Sequence, residues 1–516
     1  MRTNNSIKNI FISILAQLVI VLLGFISRKV FLDSLGAEYL GINGLLTNVL
    51  SMLALVESGI GTAIVFSLYK PLAIKDNYTV IALVQLYKKV YKIIALIILI
   101  FSIFLYPFLG YFMKGEVSIS YITVAYFIFV AKNIITYLNA HKISLIISDQ
   151  KGYVLTSLNL VFQITITIAK ILVLIITGNY IIYLLIELFI FMLQNIISSL
   201  IVSKRYPFIN TKEKFLIKNE EKASIITKVK ALFIHNIGGF ALNGSDNILI
   251  SAFLGLTTVG LYSNYSMITG QLTAFLAPLF NGIGASVGNL IAIESNTNRY
   301  KVFNVVYFLN FWVYSVSVIF LYNLLDPFIS WWLGKEYLIE KSAVVILLIN
   351  IYISGLRSSV FTFKVKGGIF VEDKYMPLIG AGINLVTSIL LVKILGITGI
   401  FLGTTISILF VFWKAPNLVF QQIFNRPVNI YYKKYVFYAV LTIIAGSVTT
   451  FFCTWIPFQN NFVSLASKGI VCLLIINIIY FIIFHKTDEF MYLMNVLKVK
   501  LKIKNKVKLN KTKVMG

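Results

Sequence analysis

Seven ionisable side chains stand inside or at the end of long apolar runs of this chain: Arg28, Glu57, Lys132, Lys170, Glu187, Asp246 and Arg357. An ionised group at mid-membrane costs about 2.5–3.5 kcal/mol on insertion scales, so such residues face a wet cavity or a partner and mark paths for charged cargo. Four of the seven are cations. Arg28, Lys132, Lys170 and Arg357 are therefore the candidate substrate-binding residues, and their sign selects an anion. Arginine grips phosphate oxygens through two parallel hydrogen bonds. Glu57, Asp246 and the polar neighbours Asn247, His235 and Asn236 are candidates for coupling an ion or lining the cavity. Structural readings compete with these: Glu57 paired to Arg28, and Glu187 fixing a neighbouring helix. Lys132 and Lys170 are harder to explain that way, because no acid lies next to either in the sequence. No metal site is expected, since three scattered histidines make no cluster. Cys453 and Cys472 sit in apolar runs and make neither a metal nor a disulfide pattern.

The elements that must position these groups are transmembrane helices. Of 516 residues, 59% are hydrophobic and 12% charged, against about 25% charged in soluble domains. A span needs about 20 largely apolar residues, and lipid admits only structures that satisfy their own backbone. About fourteen helical spans are expected, at 10–26, 40–68, 91–112, 118–138, 154–177, 180–202, 231–253, 259–291, 303–325, 343–363, 376–392, 397–413, 435–455 and 470–484. The first is too long for a signal-peptide core and lacks a small-residue cleavage site, so it reads as a retained span. The loops are too short to fold into a catalytic domain. The fold class is all-α integral membrane.

With the N-terminus inside, the outer loops hold only Arg28, Lys29, Lys114, Lys335, Lys341, Lys393 and Lys468 of the 45 Lys and Arg. Nearly all the others fall on the inner side, so both termini are expected in the cytoplasm. The net charge of +26 is then mostly this bias, and a nucleic-acid partner is not expected. The tail LKVKLKIKNKVKLNKTKV is expected to be a topology anchor that lies on anionic membrane lipids, with docking of a partner as the alternative.

A shift of 219 residues superposes Leu35-Gly36 on Leu254-Gly255 and Gly41 on Gly260, so the turn between spans one and two recurs between spans seven and eight. Arg28 falls on Asn247. A third echo, ILGITGIFLG, joins spans eleven and twelve. The plain explanation is that Gly supplies a positive φ in any tight turn. At the same shift, Gly59 of VESGIG falls on Pro278 of LAPLFNGIGASVG. Spans two and eight are thus expected to be interrupted in corresponding places, with Gly59, Gly61, Pro278, Gly282 and Gly284 as hinges. Such paired interruptions are a sequence pointer to a transporter's binding site.

The chain resembles Wzx-type polysaccharide or oligosaccharide flippases, of the polysaccharide transporter family in the multidrug/oligosaccharidyl-lipid/polysaccharide exporter superfamily. The matching phrases are SRKVFLDSLGAEYLGINGLLTNVLSMLALVESGIGTA, SDQKGY and GSDNILISAFLGLTTVGLYSNY. The resemblance implies two six-helix lobes around a central cavity plus two trailing helices. Mapped onto the spans, these are an N-terminal lobe at 1–202, an inter-lobe loop at 203–230, a C-terminal lobe at 231–414, two extra spans within 415–485 and a basic tail at 486–516. It implies a bacterial plasma-membrane protein, with no enzymatic activity, that moves an undecaprenyl-pyrophosphate-linked oligosaccharide from the inner to the outer leaflet by alternating access. A polysaccharide polymerase complex is the implied protein partner. It also places Arg28 in a cationic cavity. No phosphate-binding loop for ATP is present, so no cofactor is expected, and a proton gradient, a sodium gradient or the membrane potential is the expected driving force. A drug/cation antiporter of the same fold and a peptidoglycan-precursor flippase are the alternatives.

Overall fold

The computed structural model describes residues 2–53, 57, 60–113, 119–149, 151–217, 222–223, 225–226, 229, 245–369, 372–456 and 461–495. For 2–18, 62–64, 66, 119–120 and most of 278–292 it describes the backbone alone. Among these residues the chain is α-helical without strands: α1 (Arg2–Leu35), α2 (Ala37–Leu53), α3 (Ile60–Ile74), α4 (Asn77–Leu105), α5 (Ile119–Ser148), α6 (Gly152–Thr177), α7 (Tyr180–Arg205), α8 (Asp246–Leu254), α9 (Leu256–Ile293), α10 (Asn296–Trp332), α11 (Lys341–Lys366), α12 (Met376–Val411), α13 (Lys414–Val419), α14 (Asn429–Thr454) and α15 (Phe462–Phe484). Nine helical stretches among the described residues are long and apolar enough to cross a bilayer. Expected spans eleven and twelve share α12, and most of span seven lies outside the described residues. Together with the pattern of apolar runs, this makes the protein a multi-pass membrane protein of all-α class.

Local chemistry explains the helix ends. Asp76 caps α4, accepting from the backbone N of Thr79 at 3.1 Å and its hydroxyl at 2.6 Å. Asn179 caps α7 by accepting from the amides of Ile181 and Ile182, and Asn461 caps α15 through the amide of Ser464. Each satisfies amides that the first helical turn leaves open. The three Leu-Gly or Gly-Ile turns of the repeat share one backbone device. Gly36 has φ 85°, Gly255 φ 96° and Gly396 φ 56°, a region that costs a side-chain-bearing residue dearly. At Gly396 this turn kinks α12.

The interruption expected in span two falls at residues 54–56 and 58–59, outside the described residues. Span eight differs. Its backbone stays helical from Leu256 to Ile293, through Pro278, Gly282 and Gly284. Transmembrane helices tolerate such residues when neighbours re-satisfy the freed backbone groups.

The chain divides into two compact units: residues 1–267 with 377–400, and residues 268–376 with 401–516. In the first, α6 packs on α1 and α7, and α5 on α4 and α7. Its described core runs through Leu68, Leu83, Tyr87, Tyr91, Ile94, Tyr137 and Leu145. The second is built around α10, which packs on α11, α14 and α15. Aromatic rings fill it: Phe311 and Tyr438 stack with centroids 4.0 Å apart, flanked by Phe303, Tyr307, Tyr431, Tyr480 and Phe484. Large apolar side chains such as Phe104, Ile176, Ile443 and Ile482 are exposed on the outer helix faces, which suits hydrocarbon rather than water.

Candidate functional site

The first unit contains a cavity of about 350 Å³ beside α1. One stripe of α1 forms a wall, with Ile20, Leu23, Gly24, Ser27, Arg28 and Phe31 on it. That spacing is the i, i+3, i+4, i+7 pattern of a single helix face. Asn43 of α2, Gln163 and Thr167 of α6 and Tyr183 of α7 add polar groups. Arg28 holds its place by donating to the Ser263 hydroxyl at 2.9 Å, and that hydroxyl donates to the Gly260 carbonyl at 2.7 Å. Asn43 is oriented by the Tyr180 hydroxyl, which donates to its side-chain oxygen at 2.8 Å.

Behind Tyr183 lies a second cationic layer. The Lys170 ammonium stands 4.2 Å from the centre of the Tyr183 ring, a cation–π contact. It also donates to Glu187 at 2.5 Å. The other Glu187 oxygen accepts from Lys132. Three helices, α5, α6 and α7, thus each send one charge to a common point, and two cations share one carboxylate. Lys170 and Glu187 are 16% and 18% exposed, Lys132 36%. Arg28, Lys170 and Lys132 therefore belong to one neighbourhood of the first unit, with Tyr183 between the first two. Arg357 belongs to the second unit, where its guanidinium lies 5.9 Å from the Phe412 ring centre.

The turn repeat explains why Arg28 reaches Ser263. Helices α2 and α9 cross with their backbones in contact. A β-carbon on Gly41 would come within 1.9 Å of the Leu256 carbonyl oxygen, and one on Gly260 within 1.9 Å of the Ala37 carbonyl oxygen. The four residues are related by the same 219-residue shift, so the contact is reciprocal. Arg28 bonded to Ser263 has its counterpart in Asn247, whose side-chain nitrogen lies 3.7 Å from the β-position of Gly44.

Residues 6–283 match the family described as polysaccharide biosynthesis protein. The chain belongs to that family. Among solved structures, this member of the polysaccharide biosynthesis family is similar to a lipid II flippase MurJ in an inward closed conformation, with a TM-score of 0.64 and 16% identity over 92% of this chain and 99% of that one. A multidrug resistance MATE family transporter of the MOP superfamily, inward-facing, matches with a TM-score of 0.61 and 12% identity over 78% and 98%. A MOP superfamily transporter from Pyrococcus furiosus, described as having a binding pocket of reverse polarity, matches with a TM-score of 0.53 and 13% identity over 81% and 95%. These likenesses give the family member its fold, the one the resemblance implies. Curated protein sequences give no match.

The remaining polar candidates fall elsewhere. Glu57 does not pair with Arg28; its carboxylate accepts from the Tyr91 hydroxyl at 3.1 Å and from the Gly61 amide at 3.2 Å. Asp246 opens α8, and one oxygen of Asp246 and the side-chain oxygen of Asn247 are buried with no hydrogen-bond partner among the described residues. His235, Asn236 and Gly59 lie outside the described residues, and at Pro278, Gly282 and Gly284 only the backbone is described. Sequence reasoning missed Tyr183, Gln163, Thr167 and Ser263. A signal existed for three of them. Gln163, Thr167 and Lys170 fall on one face of α6, and Tyr183 lies one turn before Glu187.

Proposed function

We propose that this protein flips a polyprenyl-pyrophosphate-linked oligosaccharide from the cytoplasmic to the outer leaflet of a bacterial plasma membrane, for export of a cell-surface polysaccharide. The observation that carries this reading is the imbalance of charge around the first unit's cavity. Arg28 lines that cavity, and behind the lining Tyr183 the cations Lys132 and Lys170 share the carboxylate of Glu187. A pyrophosphate supplies the missing negative charge, and Arg28 at the cavity wall is the group to meet it. Gln163, Thr167 and Asn43 offer hydrogen bonds to phosphate or sugar. The polyprenyl chain stays in lipid, since its transfer into a polar cavity is unfavourable. No bond is made or broken.

Membership of a polysaccharide biosynthesis family supports the saccharide, and similarity to a lipid II flippase supports a lipid-linked cargo. A cation antiporter is disfavoured because Glu187, one turn from the cavity-lining Tyr183, is already held by two lysines. Movement proceeds by alternating access, driven by the membrane potential or by a proton or sodium gradient, with Asp246, Asn247 and Glu57 as the groups to couple an ion. Both termini face the cytoplasm, the basic tail lies on anionic lipid, and a polysaccharide polymerase receives the product.

The test is deletion of the gene followed by analysis of lipid-linked saccharides on each face of the membrane. Accumulation of one undecaprenyl-pyrophosphate oligosaccharide on the cytoplasmic face, cleared by the wild-type gene, is the expected result. Accumulation of the peptidoglycan precursor instead would assign the alternative flippase. An unchanged lipid pool with altered drug or cation efflux would overturn the reading.

A further inference from the structure

The two cysteines of the chain, 19 residues apart in sequence, meet inside the second unit. The Cys453 sulfur, in the last turn of α14, lies 3.3 Å from the Cys472 sulfur of α15. Both are free thiols and both are buried, at 3% and 0% exposure. Buried cysteine commonly packs as a small hydrophobe, and that role needs no second sulfur beside it. Here the sulfurs touch, so closure to a bond of about 2.04 Å needs a movement of little more than an ångström, in side chains whose neighbours already hold them together.

We propose that Cys453 and Cys472 are a latent disulfide site that joins α14 to α15. In the reaction each thiol gives up its proton and one electron, and the two sulfurs form one bond. The two protons and two electrons pass to an oxidant, dioxygen with a copper catalyst in the test below, which leaves as hydrogen peroxide. Burial excludes bulky thiols such as glutathione, so the exchange route through a mixed disulfide is closed and direct oxidation by a small or lipid-soluble oxidant remains.

The bond has a structural consequence. α14 also forms one wall of an apolar cavity of about 670 Å³ between α10, α11 and α14, where Thr442, Gly446 and Thr450 line it. Cys453 follows Thr450 by three residues, on the same side of the helix. Oxidation ties the end of that wall to α15 and leaves α14 less free to shift.

The experiment uses the full-length protein in detergent, treated either with copper phenanthroline in air or with dithiothreitol. Each sample is then denatured, alkylated with N-ethylmaleimide and measured by intact mass. After reduction, two labels are expected. After oxidation, the expected species is a monomer with no label and a mass lower by two hydrogens. Cys453→Ser and Cys472→Ser each keep one label under both treatments. Full double labelling after oxidation, repeated with lipid-soluble iodine as oxidant, would overturn the proposal, as would disulfide-linked dimers in place of the internal bond.

Discussion

Lys170 donates to one oxygen of Glu187 at 2.5 Å while Lys132 takes the other, so one carboxylate answers two cations drawn from different helices. Removing the shared partner should cost more than removing either cation, because it strands both. Breaking a buried pair by deleting one member costs about 3–5 kcal/mol, and the partial exposure of Lys132 lowers its share. Glu187→Ala should therefore lower the thermal unfolding midpoint in detergent more than Lys170→Ala, and Lys170→Ala more than Lys132→Ala. An equal loss for all three would remove the shared-partner account.

The crossing of α2 and α9 makes a paired forecast. Gly41→Ala and Gly260→Ala each drive a methyl into a backbone carbonyl, which no rotamer change relieves. Overpacking of this kind costs about 1–3 kcal/mol or more. Both variants should lose stability to a similar extent, whereas Gly270→Ala, where nothing lies within 4 Å, should gain or hold. Fluorescence-detected thermal melts of the three variants check this.

Arg28 is held by a neutral hydroxyl rather than by a carboxylate. Its replacement by Ala strands no buried charge, so the protein should fold near normally. Under the proposed function, clearance of the cytoplasmic lipid-linked saccharide should fall at least about tenfold, the equivalent of 1.4 kcal/mol. Arg28→Lys keeps the charge and loses the bidentate grip, and should fall between the two. Wild-type transport by Arg28→Ala would remove this residue from the site.

One carboxylate outside the spans gives a pH dependence. Beyond α15, burial raises the Glu489 pKa, but the hydrogen bond and charge of Lys434 outweigh it and leave the carboxyl below its ordinary value of 4.5. A depressed carboxylate contributes stability that is present above the unfolded value and lost as pH falls through the folded one. The stability gap between wild type and Glu489→Gln should be constant near neutrality and close below about pH 4.5. A gap that widened on acidification would contradict the sign. The group is half-buried, so the effect is small.

Much of the fold is legible in the chain because lipid demands long apolar runs and leaves little choice of secondary structure. The turn glycines were legible too: Gly36, Gly255 and Gly396 announce themselves by a repeated phrase, and each has the positive φ that the phrase predicts. Partners across helices were not. Glu187 lies 55 residues from Lys132, and nothing in either local sequence names the other, since the match is made by helix packing. The same is true of Cys453 and Cys472. The break expected in span eight is not seen: Pro278 reads as a breaker locally, while the helical backbone of α9 runs through it.

The backbone crossing of Gly41 and Gly260 also speaks to descent. Two separate half-length chains meeting about a twofold axis would make both close approaches from a single glycine codon, because symmetry copies every contact. In a single chain the two codons are distinct, so each glycine must be maintained on its own. Arg28 and Asn247 show the other outcome. Matching positions in one gene are free to differ, and here the first copy holds Arg28 where the second holds Asn247.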